Sequence, residues 1–100
     1  MGLINIPFRD DMKRQILNGN KMMTSRRKRY GNRGDVFTID GKAFRLIDVL
    51  RMQLSFVANN LFRQEGCTSN VEFVKIWREL HPMEGWTPEL FVWVHVFIRV

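Results

Sequence analysis

Lys21 and Thr24, three residues apart in "NGNKMMTSRRKRYGNRGD", are of the types that acyl-transfer chemistry uses. A hydroxyl attacks an acyl carbon when a neighbouring neutral amine takes its proton. The lysine must then titrate below its reference of about 10.4, and burial together with nearby arginines pushes in that direction. Geometry adds a second requirement. On a regular strand a spacing of three sends two side chains to opposite faces, so the pair meets only if the chain bends, bulges or turns after Gly19. Without that bend, Lys21 and Thr24 are ordinary polar residues of a strand edge. Glu72 is a third group of interest. Ser69 and Glu72 have the S-x-x-E spacing of a capping box, which accounts for the glutamate fully, yet a helix start facing a cleft can cap and do chemistry at once.

The same segment is strongly basic. Residues 21–33 carry six cationic side chains and no carboxylate. Arg26, Arg27, Lys28, Arg29 and Arg33 surround Tyr30, Gly31 and Asn32, a mixture suited to a loop that lays guanidinium groups on phosphates while Tyr30 stacks on a base. A solvated loop and an import-type signal have the same composition. Five phosphates neutralised on a single strand would give a salt slope of about −3.5 in log affinity.

Composition limits the classes of function. One hundred residues with 45% apolar side chains support one core and a single domain over residues 1–100. A lone cysteine, Cys67, excludes an internal disulfide and a multi-thiolate metal site, and fits a reducing, cytoplasmic setting. His81 and His95 have no second ligand at metal spacing, so no metal and no cofactor is expected. No stretch is long enough to span a membrane, which takes roughly 20 apolar residues, and no secretory signal opens the chain. A net charge of +6 favours polyanions, RNA among them.

The elements that must position these groups follow from pattern. Residues 3–8 form a short apolar lead-in with the character of a strand. Phe8, Met12, Ile16 and Leu17 recur at helical spacing, and Gly19 stops that helix. Asp40-Gly41 between "VFTI" and "KAFRLIDVLRM" predicts a type I′ hairpin. Leu54, Val57, Ala58 and Leu61 line a second helix, and a third runs from the Ser69 cap to the stop at Pro82. Trp77, Trp86 and Trp93 read as packing residues, and Met22 and Met23 as apolar filler beside the bend. The tail "FVWVHVFIRV", apolar at both parities, predicts a central strand. Hairpin connections and interspersed helices indicate an α+β architecture around a small antiparallel sheet or barrel.

In order and spacing, these segments resemble the ASCH domain family, which is PUA-like. Its G-x-K-x-x-T-x-R pattern is met by Gly19, Lys21, Thr24 and Arg26, its G-D turn by Gly34 and Asp35, and its E-G-x-x-S-x-x-E-F segment by Glu65, Gly66, Ser69, Glu72 and Phe73. The resemblance implies a small mixed or antiparallel β-barrel flanked by short helices, with a cleft beside the lysine and threonine. It also implies RNA or a nucleoside as partner: either the cleft holds a nucleotide while the basic loop grips the backbone, or it deacetylates N4-acetylcytidine. For the second case it implies Thr24 as nucleophile, Lys21 as base and Glu72 as acid or stabiliser. A protein-interaction domain in transcription or translation is a third reading that family membership allows.

Overall fold

Chain reversal at Asp40-Gly41 organises the sheet. In the computed structural model, which describes residues 2–100, Asp40 has φ 50° and Gly41 φ 79°, the pair of positive values a type I′ turn demands. The turn joins β2 (Val36–Ile39) to β3 (Lys42–Gln53) in the register Ile39 to Lys42 and Phe37 to Phe44. The remaining elements are α1 (Asp10–Leu17), β1 (Met23–Arg26), α2 (Leu54–Asn60), α3 (Asn70–Leu80) and β4 (Phe91–Arg99). Strand order is β1-β4-β3-β2, every neighbouring pair is antiparallel, and the sheet curls into a half-barrel rather than closing.

β4 lies inside the sheet, as its two-sided apolar pattern requires. On one face Val92 and Val94 pack with Leu54, Val57, Phe73 and Trp77 from the helices. On the other, Phe97 joins Phe37, Phe44, Leu46, Ile6 and Ile16, with the Phe37 and Phe97 rings edge to face at 5.1 Å. Each such fully buried aromatic contributes about 1.5–3 kcal/mol by leaving water. The long strand β3 slips one position against β4 between Leu46 and Asp48, and an irregularity of that kind bends and twists a sheet locally.

Two expectations change. Residues 3–8 make only a lone parallel bridge, Leu3 to Val36, held by Ile4 N donating to Val36 O and Val36 N donating to Gly2 O. Of the two methionines, Met23 is core while Met22, which precedes β1, is 45% exposed. No helix among the described residues is long and apolar enough to cross a membrane.

Candidate nucleotide cleft

The bend that the Lys21–Thr24 spacing requires is present. Gly19, at φ 82°, ends α1, and the N–H groups of Asn20 and Lys21 both donate to Gln15 O at 2.9 and 3.0 Å. Those of Met22 and Met23 both donate to Gln64 O at 2.8 and 3.1 Å. Two successive donors on one carbonyl mark a bulge, and regular pairing with β4 starts only at Met23. Lys21 and Thr24 consequently line one cleft despite their odd spacing.

The cleft opens along the free edge of β1 and holds about 570 Å³. Because β1 is an edge strand, consecutive residues Thr24, Ser25 and Arg26 all reach it. Phe8 and Met12 wall one side, and Phe73, Ile76 and Trp77 of α3 wall another. Its floor is polar. Lys21 Nζ donates to the Glu65 backbone O at 2.9 Å and lies 3.4 Å from Glu65 Oε1. Ser25 Oγ donates to Glu65 Oε2 at 2.6 Å. Lys21 is 5% exposed and Glu65 4%, so the pair is held out of water. Burial draws the Lys21 pKa below that of an ordinary lysine, against the opposing pull of Glu65. The Cys67 thiol on the same wall is pushed up by burial to about 11 and stays protonated.

Gly66 makes that floor possible. It has φ 90°, and a Cβ there would lie 2.9 Å from Lys21 Cβ, so only glycine lets the turn carrying Glu65 rest on the lysine stem.

Thr24 Oγ1 accepts from Arg26 Nε at 3.1 Å, which leaves its own hydrogen available to another acceptor. Arg26 also donates through Nη2 to Pro7 O at 2.6 Å, and its guanidinium lies over Phe8 at 4.9 Å and Tyr30 at 5.3 Å. Among the described residues no hydrogen bond joins Lys21 Nζ to Thr24 Oγ1; the lysine is turned to Glu65. Behind the strand, fully buried His95 accepts from the Tyr30 N–H at Nε2, 3.0 Å. A backbone N–H can only donate, so Nδ1 carries the ring hydrogen and faces Thr24 O at 3.3 Å. This imidazole ties the basic loop to the strand of Thr24.

Glu72 stands elsewhere. Its N–H donates to Ser69 Oγ at 3.1 Å and its Oε1 accepts from Thr68 N at 2.9 Å, so it caps α3 and does not line the cleft. The carboxylate that meets Lys21 is Glu65. Sequence reasoning placed Glu65 in a motif without a task, and its position before Gly66 was the one available signal. The basic run also divides. Arg26 is built into the wall, and Arg27 is paired with Glu84. Lys28 lies over Tyr30 at 4.8 Å and Arg29 over Trp93 at 5.2 Å, while Arg33 is exposed. No group of three His, Cys, Asp or Glu among the described residues is placed to hold a metal.

No family model matches the sequence and no curated protein matches it significantly. Solved structures do. An ASCH domain from Lactobacillus crispatus JV V101 superposes with a TM-score of 0.77 at 12% identity, over 98% of this chain and 78% of that one. Hypothetical protein PH0355 gives 0.74 at 14% identity over 100% of both chains. Protein EF3133 from Enterococcus faecalis V583 gives 0.66 at 18% identity, over 99% of this chain and 78% of that one. Identities this low speak to architecture alone, and in architecture the chain has the fold seen in the ASCH domain structure.

Proposed function

We propose that the cleft binds a pyrimidine nucleotide, free, modified or within RNA, with the basic loop on its phosphates. The observation that carries this reading is the make-up of the cleft: aromatic and apolar walls over a buried floor of oriented polar groups, Lys21, Glu65, Ser25 and Thr24. Such a site accepts a flat heterocycle and reads its polar edge. Phe8 and Tyr30, already stacked with the Arg26 guanidinium, supply π-faces at the mouth. Lys28, Arg29 and Arg33 make no ion pair among the described residues and suit phosphate oxygens.

A second reading is favoured by Thr24 sharing this cleft with a lysine whose pKa is lowered. In it, Thr24 Oγ attacks the acetyl carbon of N4-acetylcytidine and its proton passes to neutral Lys21 and on to the departing cytosine amine. Water then hydrolyses the threonyl ester, releasing acetate and restoring the hydroxyl. Glu65, in place of Glu72, holds Lys21. Reaching Thr24 requires the Lys21 amine to turn from Glu65 when substrate binds.

Calorimetric titration with cytidine monophosphate and ultraviolet monitoring of N4-acetylcytidine separate the two. The binding reading expects a saturable heat with cytidine monophosphate that Thr24→Val weakens; no heat with either compound refutes it. Turnover abolished by Thr24→Ala is the enzymatic outcome. No turnover above buffer removes that reading, and equal turnover by Thr24→Ala removes Thr24 as nucleophile. With three loop cations contacting a single strand, rather than five, the salt slope is about −2.

A further inference from the structure

Next to the cleft, two arginines from different elements converge on one indole. Arg29 of the basic loop lies over the Trp93 ring with Cζ 5.2 Å from its centroid, and Arg51 of β3 lies over the same ring at 5.0 Å. Cross-strand pairing sets this up: Trp93 is flanked by Arg51 on one side and by Arg26, the cleft arginine, on the other. Arg29 is braced by its Nε, which donates to Gly31 O at 3.1 Å and Asn32 Oδ1 at 3.0 Å. That leaves its terminal nitrogens for a ligand. Neither Arg29 nor Arg51 meets a carboxylate within ion-pair distance among the described residues. Two guanidinium groups gathered without an acidic partner repel one another, and a polyanion relieves that repulsion. The Trp93 ring that the two guanidinium groups cover becomes a stacking surface for an unpaired base once they turn to a phosphate, a surface that a simple phosphate clamp lacks.

We infer that Arg29, Trp93 and Arg51 form a second nucleotide subsite, which takes the neighbouring residue of a single-stranded polynucleotide whose first nucleotide sits in the cleft. The base stacks on Trp93 and the two guanidinium groups hold the phosphodiester. The inference rests on the nucleotide reading of the cleft. It extends that reading by making the ligand a chain and by giving the chain a direction, from the free edge of β1 across Arg26 toward β3.

The test compares ligands of two lengths on the full chain, cytidine monophosphate by calorimetry and fluorescein-labelled hexacytidylate RNA by anisotropy. The variants are Arg51→Gln, Arg51→Glu and Trp93→Phe, of which Arg51→Gln changes an exposed strand residue with little risk to folding. Wild type binds the hexamer at least tenfold more tightly than the monophosphate. Arg51→Gln lowers hexamer affinity several-fold and reduces its salt slope by about 0.7, Arg51→Glu lowers it further, and neither alters monophosphate binding. Equal affinity for the two lengths, or a hexamer affinity unchanged in both Arg51 variants, overturns the subsite. Binding of an oligoglutamate peptide as tightly as the hexamer overturns it too, because charge alone would then explain the patch. If the hexamer binds and Arg51→Gln weakens it while the monophosphate gives no heat, the subsite stands and the cleft reading is the one that fails.

Discussion

Replacing Lys21 by methionine leaves the Glu65 carboxylate buried with Ser25 as its one remaining side-chain donor. The two charges are 3.4 Å apart, an attraction of about 5 kcal/mol at an effective dielectric constant of 20. Stranding one member of such a pair is destabilising by about 3–5 kcal/mol. That is a large share of the roughly 5–15 kcal/mol that holds a small domain together. Urea unfolding followed by tryptophan fluorescence should show the loss, and the melting temperature should fall by about 12 °C or more. Glu65→Leu strands the lysine instead. Because burial already lowers the Lys21 pKa, more protons are bound by the unfolded chain than by the folded one at alkaline pH. The Glu65→Leu defect must therefore shrink as pH rises toward the unfolded lysine value of about 10.4. The double variant Lys21→Met/Glu65→Leu, with two apolar chains in the same space, should be less damaged than either single variant. If the two single losses simply add, with coupling below about 0.5 kcal/mol, Lys21 and Glu65 are not an interacting unit.

Gly66→Ala and Gly41→Ala form a matched comparison. Both residues have positive φ, which for alanine costs about 1–2 kcal/mol, but a Cβ at 41 meets open space while one at 66 meets Lys21 Cβ. Chemical denaturation should show the larger loss at 66, and calorimetry should show weakened nucleotide binding there alone; equal effects on both measures would mean that Gly66 does not shape the floor. His95 makes stability depend on pH. Burial lowers its pKa, with Arg26 and Arg29 acting in the same direction and the Thr24 carbonyl opposing. The neutral ring's contribution is complete above the unfolded value of about 6.5 and is lost as pH falls toward the folded pKa, by up to about 1.4 kcal/mol per pH unit. Wild type should therefore lose more stability than His95→Asn between pH 7 and 5, and parallel profiles would refute the neutral, twice-bonded imidazole.

Local signals located most of the elements because their causes are local. An Asp-Gly pair specifies a type I′ turn wherever it falls between two strands, and Ser69 with Glu72 specifies a helix start within a few residues of chain. The two-sided apolar pattern of the tail reported a strand covered on both faces, which is where β4 lies. The lead-in at residues 3–8 was less legible, since a short apolar run describes burial as well as pairing, and only Ile6 is buried there. Within the site, the spacing of Lys21 and Thr24 stated its own condition, a bend. Gly19 and Gln15 O supply the local part of that bend, and Gln64 O, more than 40 residues away in sequence, supplies the rest, so the pattern around Lys21 contained only part of it.

Glu65 and Glu72 show the division most clearly. Both are glutamates in one segment, and for Glu72 the sequence offered two roles, a cap and a cleft acid; the capping contact lies between neighbours in the chain and was legible there, while its absence from the cleft was decided by the fold. Which carboxylate meets Lys21 was decided by tertiary structure, through the antiparallel bridge of Lys21 to Glu65 and a glycine at φ 90° that lets the two backbones approach. The same holds for the cations. Their number was plain in the sequence, but their division into a wall residue, an ion pair and open charges depended on Phe8, Glu84 and Trp93, brought to the loop by folding. Residue type and short-range spacing set what each group can do; long-range packing sets which groups do it together, because burial and distance, the quantities that fix electrostatic strength, exist only once the chain has closed on itself.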